Sequence, residues 1–285
     1  MHNLTDIGYV RAALEAHGIK LSKGLGQNFL VNPSVCPRMA QMSGADEKTG
    51  VIEIGPGIGV LTVELAKVAA KVVAIELDER LRPLLRAHLE PYPNAEVIFG
   101  DAMKIDLAAL IKEKFAGLER VIVCANLPYY ITSPIIMMLL ENDLPIDSIT
   151  VMVQREAAER MCAEVGSRLS GAVTVAVRRA SDPQILFRVS PGSFTPPPKV
   201  ESAVMRLDIL SDVPEDEGGV FSALVRAGFS QRRKTFINSA SSTGRFSKQQ
   251  LSKALELADI SQTVRIEQLT LDQLYQLADI LRKES

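Results

Sequence analysis

With 285 residues, 47% of them hydrophobic and 23% charged, the chain has the make-up of an ordinary globular protein, large enough for one sizeable domain and a smaller one. No apolar run is long enough to cross a bilayer and residues 1–20 hold no signal core, so a cytoplasmic protein with no membrane role is expected. A net charge of −2 excludes a uniformly basic nucleic-acid binder, and the scattered Cys36, Cys124 and Cys162 lack metal-ligand spacing and read as reduced thiols.

Residues 5–17 are expected to form a short helix with Val10, Ala13 and Leu14 on one side. The stretch Lys20-Leu21-Ser22-Lys23-Gly24-Leu25-Gly26-Gln27-Asn28-Phe29-Leu30 follows. Its glycines, lysines and amide pair read as a flexible loop with polar reach, although taken alone it could be plain connection. Residues 51–54, Val-Ile-Glu-Ile, are a short buried strand. Gly55-Pro56-Gly57-Ile58-Gly59 comes next, and then a helical spacing of Leu61, Leu65 and Val68. Strand, glycine turn and helix open a doubly wound sheet in which missing side chains let a ligand approach the backbone. The spacing is Gly-x-Gly-x-Gly, which differs from the Gly-x-Gly-x-x-Gly of pyrophosphate binders.

A second apolar strand over 71–75 ends in Glu76, placed where an acid commonly takes both ribose hydroxyls. A solvated strand-end charge is the other meaning of Glu76, and the glycine turn upstream weighs against it. A third strand over 95–99 ends in Gly100-Asp101-Ala102, where a carboxylate can accept from the amino group of a bound adenine. Capping of the helix ahead of Leu107 is the competing reading for Asp101, weakened by the intervening distance. A fourth strand, at 121–123, runs into Cys124-Ala125-Asn126-Leu127-Pro128-Tyr129-Tyr130. Pro128 holds Leu127 out of the helical region, so the chain leaves the strand extended. The Asn126 amide oxygen and the Leu127 carbonyl can then aim at one spot beside a flat aromatic, which suits the exocyclic amino group of a planar base. Three successive strands thus deliver Glu76, Asp101 and Asn126 to one edge of the sheet.

Ser133-Pro134 is read as an N-cap with proline at the first helical position, before a buried helix over 135–140. A fifth strand is expected at 149–153 and an amphipathic helix at 154–164, with Arg155 and Arg160 exposed. Further strands are expected at 172–177, 184–189 and 203–210. Between the last two, Pro191-Gly192-Ser193-Phe194-Thr195-Pro196-Pro197-Pro198-Lys199-Val200 holds an extended segment with Phe194 rigidly placed, for core packing or for the site in equal measure. Residues 211–219 are acidic, proline-bearing and end in two glycines, and they read as a domain linker. The remainder is helical, with capping boxes at Ser247 with Gln250 and at Thr270 with Gln273. Over residues 220–253 there are seven Lys or Arg and no Asp or Glu, including Gln231-Arg232-Arg233-Lys234. Solvated helix faces normally mix signs, so a one-sign stretch favours a phosphate-binding patch.

In this setting the Asn126-Leu127-Pro128-Tyr129 tetrad resembles that of the methyltransferases that modify adenine N6. Taken with Gly26 to Leu30, Glu53-Ile54-Gly55-Pro56-Gly57, Gly100-Asp101-Ala102, Ser193 to Val200 and Gln231-Arg232-Arg233-Lys234-Thr235, all in order, the chain resembles the small-subunit ribosomal RNA adenine dimethyltransferases from about Leu21 onward. No single motif carries the resemblance, and residues before Lys20 lie outside it.

The resemblance implies a Rossmann-like class I α/β methyltransferase sheet with a small all-helical C-terminal domain. The catalytic domain would span 1–210, the linker 211–219 and an RNA-binding helical domain 220–285. S-adenosylmethionine would be held by Gln27, Asn28, Leu30, Gly55, Gly57, Glu76, Asp101, Ala102 and Asn126, with no metal. Asn126, Leu127, Tyr129 and Phe194 would act on the base, and Arg232, Arg233 and Lys234 on the RNA. The implied substrate is two adjacent adenosines in the 3′-terminal hairpin loop of 16S ribosomal RNA, in an immature small subunit, each becoming N6,N6-dimethyladenosine during subunit maturation. A monomer is expected. The target base must leave its stack to be methylated, and catalysis would be mostly positioning. Three alternatives stand beside this: a large-subunit methyltransferase of the macrolide-resistance type, a non-catalytic ribosome-assembly factor on the same fold, and a nicotinamide-dependent oxidoreductase. The last is disfavoured by the glycine spacing and the tetrad.

Overall fold

The computed structural model describes residues 3–19 and 28–283. Helix α1 (Ile7–Ala16) opens behind Asp6, whose carboxylate accepts from the Tyr9 N–H at 2.7 Å, and it buries Val10 and Leu14. A two-residue strand β1 (Phe29–Leu30) and helix α2 (Val35–Met42) lead into alternating strands and helices: β2 (Thr49–Ile54), α3 (Val60–Ala66), β3 (Lys71–Glu76), α4 (Arg82–Leu89), β4 (Ala95–Phe99), α5 (Leu107–Lys114), β5 (Arg120–Asn126), α6 (Thr132–Glu141) and β6 (Ser148–Gln154). The β-branched runs in β2, β3, β5 and β6 are buried almost throughout, which is why they pair in parallel with helices over their faces. Helix α7 (Arg155–Met161), helix α8 (Ala172–Ala180), β7 (Ser181–Val189), the short β8 (Phe194–Thr195) and β9 (Ser202–Ile209) complete this part.

Seven strands form one sheet in the order β4-β3-β2-β5-β6-β9-β7. The neighbours from β4 to β6 are parallel, and β9 runs antiparallel to β6 with Met205 opposite Val151. The chain moves outward from β2 to β3 and β4 on one side and to β5 and β6 on the other. That reversal opens a crevice beyond the carboxyl ends of β2 and β5, where open α/β sheets bind ligands. The register aligns those ends: Ile54 lies beside Ile75, and Glu76 beside Phe99. Separately, β1 and β8 pair antiparallel, with Leu30 opposite Phe194. One apolar cluster joins α2 and α3 to the sheet and includes Leu30, Met39, Leu65 and Phe194; another gathers α1, α4 and Ile58.

Contacts divide the chain into two units, Met1–Ala158 with Pro183–Ile209, and Glu159–Asp182 with Leu210–Ser285. The second holds α8 together with α9 (Val220–Phe229), α10 (Phe236–Ala240), α11 (Lys248–Leu257) and α12 (Leu271–Lys283). Its core is built on Val175, Leu224, Phe236, Leu251, Leu255, Leu274 and Leu277. The boundary thus differs from one drawn at residue 210, because Glu159–Asp182 packs with the C-terminal helices. Residues 172–177, expected as a strand, are the start of α8. A short apolar run carries no periodicity to separate the two, and Thr174 decides locally by accepting the Gly171 N–H at 3.0 Å in the first turn. Ser133 is not an N-cap: α6 begins one residue earlier, and the Thr132 hydroxyl bonds back to the Pro128 carbonyl. Both C-terminal capping boxes form. Within residues 211–219, Asp216 accepts the N–H groups of Phe221 and Ser222, tying this segment to the start of α9. No helix among the described residues is long and apolar enough to cross a membrane.

Candidate active site

The cleft at the carboxyl ends of the parallel strands is walled by the glycine turn, Glu76, Asp101, Asn126 to Tyr129 and, from the paired β1 and β8, Leu30 and Phe194. Gly57 has φ of +59°, a conformation that side chains resist, and an added Cβ would meet the Phe29 ring at 3.4 Å. The turn is locked to the strand beside it. Gly55 N–H donates to the Ile75 carbonyl at 2.9 Å, and Gly57 N–H donates to Glu76 Oε2 at 3.1 Å. Glu76 Oε1 accepts from the Asp78 N–H at 2.8 Å. Burial raises the Glu76 carboxyl, and the bonds from Asp78 and Gly57 partly restrain the shift. Behind the turn, Ile58 is tied to α4 and α1. Its carbonyl can only accept, so His88 Nδ1 carries a hydrogen and donates at 2.7 Å, and the ring's Nε2 lies 2.7 Å from the Tyr9 hydroxyl.

Asp101 is part turn and part cleft wall. Its Oδ1 accepts the Met103 N–H at 3.0 Å and its Oδ2 faces Lys104 Nζ at 3.6 Å on the solvent side. Ala102 is buried beside it. At the end of β5, Leu127 is buried and its N–H is bound by the Met152 carbonyl. The Asn126 amide lines the cleft and makes no hydrogen bond to a described residue. Tyr129 is half-buried, and its hydroxyl lies 2.7 Å from Ser202 Oγ on β9. Nothing in the local sequence marks Ser202. Phe194 is 4% exposed, so its ring is mostly core, with one side on the cleft.

The cleft is acidic. Glu53, Glu76 and Asp101 line it, and no Lys or Arg does so among the described residues. Glu53 is 1% exposed, and its Oε2 has no hydrogen-bond partner among the described residues. Such a cavity opposes a pyrophosphate and suits a ligand that brings positive charge, a ribose diol and an adenine edge.

The residues expected at the cofactor therefore converge, Asn28, Leu30, Gly55, Gly57, Glu76, Asp101, Ala102 and Asn126 all lining one cleft. Gln27 lies outside the described residues. The basic run in the second unit divides. Arg233 and Lys234 are exposed. Arg232, also expected at the RNA, is partly exposed and donates to the Ser170 carbonyl at 2.9 Å while pairing with Glu267 at 3.3 Å.

A family model described as ribosomal RNA adenine dimethylase matches residues 18–283. The chain belongs to this family. It is 44% identical to the ribosomal RNA small subunit methyltransferase A of Alkaliphilus oremlandii (strain OhILAs), with 100% of both chains covered. It is 42% identical to the protein of the same name from Bacillus licheniformis, over 95% of this chain and 94% of that one. Among solved structures it is similar to a dimethyladenosine transferase from Plasmodium falciparum, with 27% identity, a TM-score of 0.73, and coverage of 87% of this chain and 95% of that one. The 23S rRNA methyltransferase ErmE gives 26% identity and a TM-score of 0.67, over 90% and 100% of the two chains. As a ribosomal RNA adenine dimethylase on a Rossmann-like class I fold, the chain is a methyltransferase, and α1 lies before the family match.

Proposed function

We propose that this dimethylase converts two adjacent adenosines in the 3′-terminal hairpin loop of 16S ribosomal RNA to N6,N6-dimethyladenosine. It would act as a cytoplasmic monomer on the immature small subunit, with S-adenosylmethionine as methyl donor. Full-length identity to proteins named for the small subunit supports this over the large-subunit alternative, for which the identity falls from 44% to 26%. The observation that carries the chemistry is the acidic cleft ending in Asn126, Leu127 and Tyr129.

The residues fit the cofactor. An orphaned, buried Glu53 oxygen and a cleft without Lys or Arg among its described lining call for a cationic ligand. When bound, S-adenosylmethionine supplies an electrophilic methyl group on a positively charged sulfur. Glu76 would take the ribose hydroxyls, and Asp101 would accept from the cofactor's adenine amino group. Leu30 and the backbone at Gly55 and Gly57 would close around it.

On the substrate side, Tyr129 offers its face to a flipped-out adenine and Phe194 closes the opposite wall. Asn126 and the Leu127 carbonyl would accept the two N–H bonds of the exocyclic amine. That orientation turns the nitrogen's lone pair, otherwise delocalised into the ring, toward the methyl group. The amine would not need to ionise before attack; its proton would leave the methylated nitrogen for solvent once the methyl has parted from the sulfur, and most of the rate would come from positioning. In the second round only one N–H remains, so one of the two acceptors loses its bond.

The test is transfer of labelled methyl from S-adenosylmethionine to small subunits lacking the modification, with large subunits and mature small subunits as controls. Recovery of N6,N6-dimethyladenosine from the unmodified small subunit alone supports the assignment. Label in large-subunit RNA would replace it with the ErmE-like activity, and binding without label would leave an assembly factor. Asn126→Ala should lose most methyl transfer, a far larger loss than any weakening of cofactor binding. Unchanged turnover by that variant would remove Asn126 from the mechanism.

A further inference from the structure

Glu53 takes no part in holding the base, yet its carboxyl is more deeply buried than that of Glu76. It stands on β2 beside Ala74 of β3, lines the cleft, and leaves Oε2 without a partner. The groups around it among the described residues offer no positive charge. Glu76 faces it from β3, Cys124 from β5 and Cys36 from α2, while α3 supplies only the Thr62 hydroxyl, with Glu64 bearing on Cys36. Burial pushes both thiols up, so they are neutral. An ionised Glu53 would thus be a second buried negative charge next to Glu76, with no cation among the described residues to compensate it. Burial accordingly pushes the Glu53 carboxyl up to about 8, the Thr62 hydroxyl opposing the shift and the Glu76 charge adding to it.

We propose that Glu53 holds a proton while the cleft is empty and releases it to solvent when a cationic methyl donor enters, so that cofactor capture and proton loss are one coupled event. This rests on the S-adenosylmethionine reading above. The ligand's positive charges supply what the cavity lacks, and the ionised carboxylate then becomes the favoured form. An uncharged Glu53 also keeps the empty cleft from holding two unpaired carboxylates in a low-dielectric space.

Calorimetry of S-adenosylmethionine binding to the full chain at pH 6.5, in two buffers of different ionisation enthalpy, counts the protons directly. At that pH an α-amino group, with a pKa of about 7.7–8.0, is already protonated and contributes little. Close to one proton should leave per ligand bound, and affinity should rise about tenfold per pH unit between pH 6 and 7. Glu53→Gln should bind with no proton release and a flat pH profile. Zero release by the parent protein overturns the proposal whether or not the variant folds. Equal release by a folded Glu53→Gln also overturns it and points to Glu76. Failure to bind S-adenosylmethionine in any buffer would bring down the methyl-donor reading itself.

Discussion

The bond between Tyr129 and Ser202 gives the sharpest test of how the aromatic wall works. Ser202 is fully buried on β9 and is not among the residues lining the cleft, so Ser202→Ala removes one hydroxyl and leaves the cofactor's surroundings intact. Tyr129→Phe removes the same 2.7 Å bond from the other end. A neutral hydrogen bond of this kind contributes about 0.5–1.5 kcal/mol, or roughly 2- to 12-fold in a rate if it is felt in the transition state. Single-turnover methylation should therefore slow by that factor in either variant, with the calorimetric affinity for S-adenosylmethionine unchanged. The double variant should be no slower than the worse of the two, because both changes delete one interaction. Tyr129→Ala should cost more, about 1–3 kcal/mol, since the stacking face itself is lost. If the two single effects simply add, or if neither variant slows transfer, the bond does not orient the ring and the reasoning fails.

Three further outcomes follow from the geometry. Gly57→Ala should lower stability by about 1–2 kcal/mol, since the residue has φ of +59°, and should weaken cofactor binding through the crowded Phe29 ring; thermal melts and calorimetry read the two effects. Replacing Arg233 and Lys234 by Ala should weaken RNA binding and flatten its salt dependence by nearly one unit of slope per charge, whereas Arg232→Ala should show mainly as a lower melting temperature, because that side chain holds the Ser170 carbonyl. Glu53→Gln should stabilise the ligand-free protein increasingly as pH rises from 5 to about 8. The folded carboxyl is raised to about 8, so between its unfolded pKa and that value the folded state keeps a proton the unfolded chain has lost, and the parent's stability falls across this window. A constant gap between the two melting curves would contradict the assignment.

Glu76, Asp101 and Asn126 were legible in the sequence because a strand fixes where its last residue emerges, and parallel strands emerge on one edge. The glycine turn was legible for a related reason, since few residues other than glycine adopt its left-handed φ. Ser202 was not legible. It meets Tyr129 across 73 residues, through the reversal that lays β9 against β6, and no local pattern announces that register. Glu53 was visible as part of a motif, but its isolation was not, because an orphaned oxygen is defined by what the neighbouring elements fail to supply. The bonds of Arg232 to the Ser170 carbonyl and to Glu267 were not legible, because both partners lie far away along the chain. The run at 172–177 misled because a short apolar segment serves a strand and a buried helix equally well, and packing among the C-terminal helices settled it.

The link from Tyr9 through His88 to the Ile58 carbonyl means that the border drawn by family likeness and the border drawn by bonding do not coincide. A helix that no motif touches braces the glycine turn from behind, so the turn's shape depends in part on a segment outside the span that the family model matches. A fragment trimmed at residue 18 would keep the whole span that the family model matches and lose the Tyr9 contact that holds the glycine turn from behind.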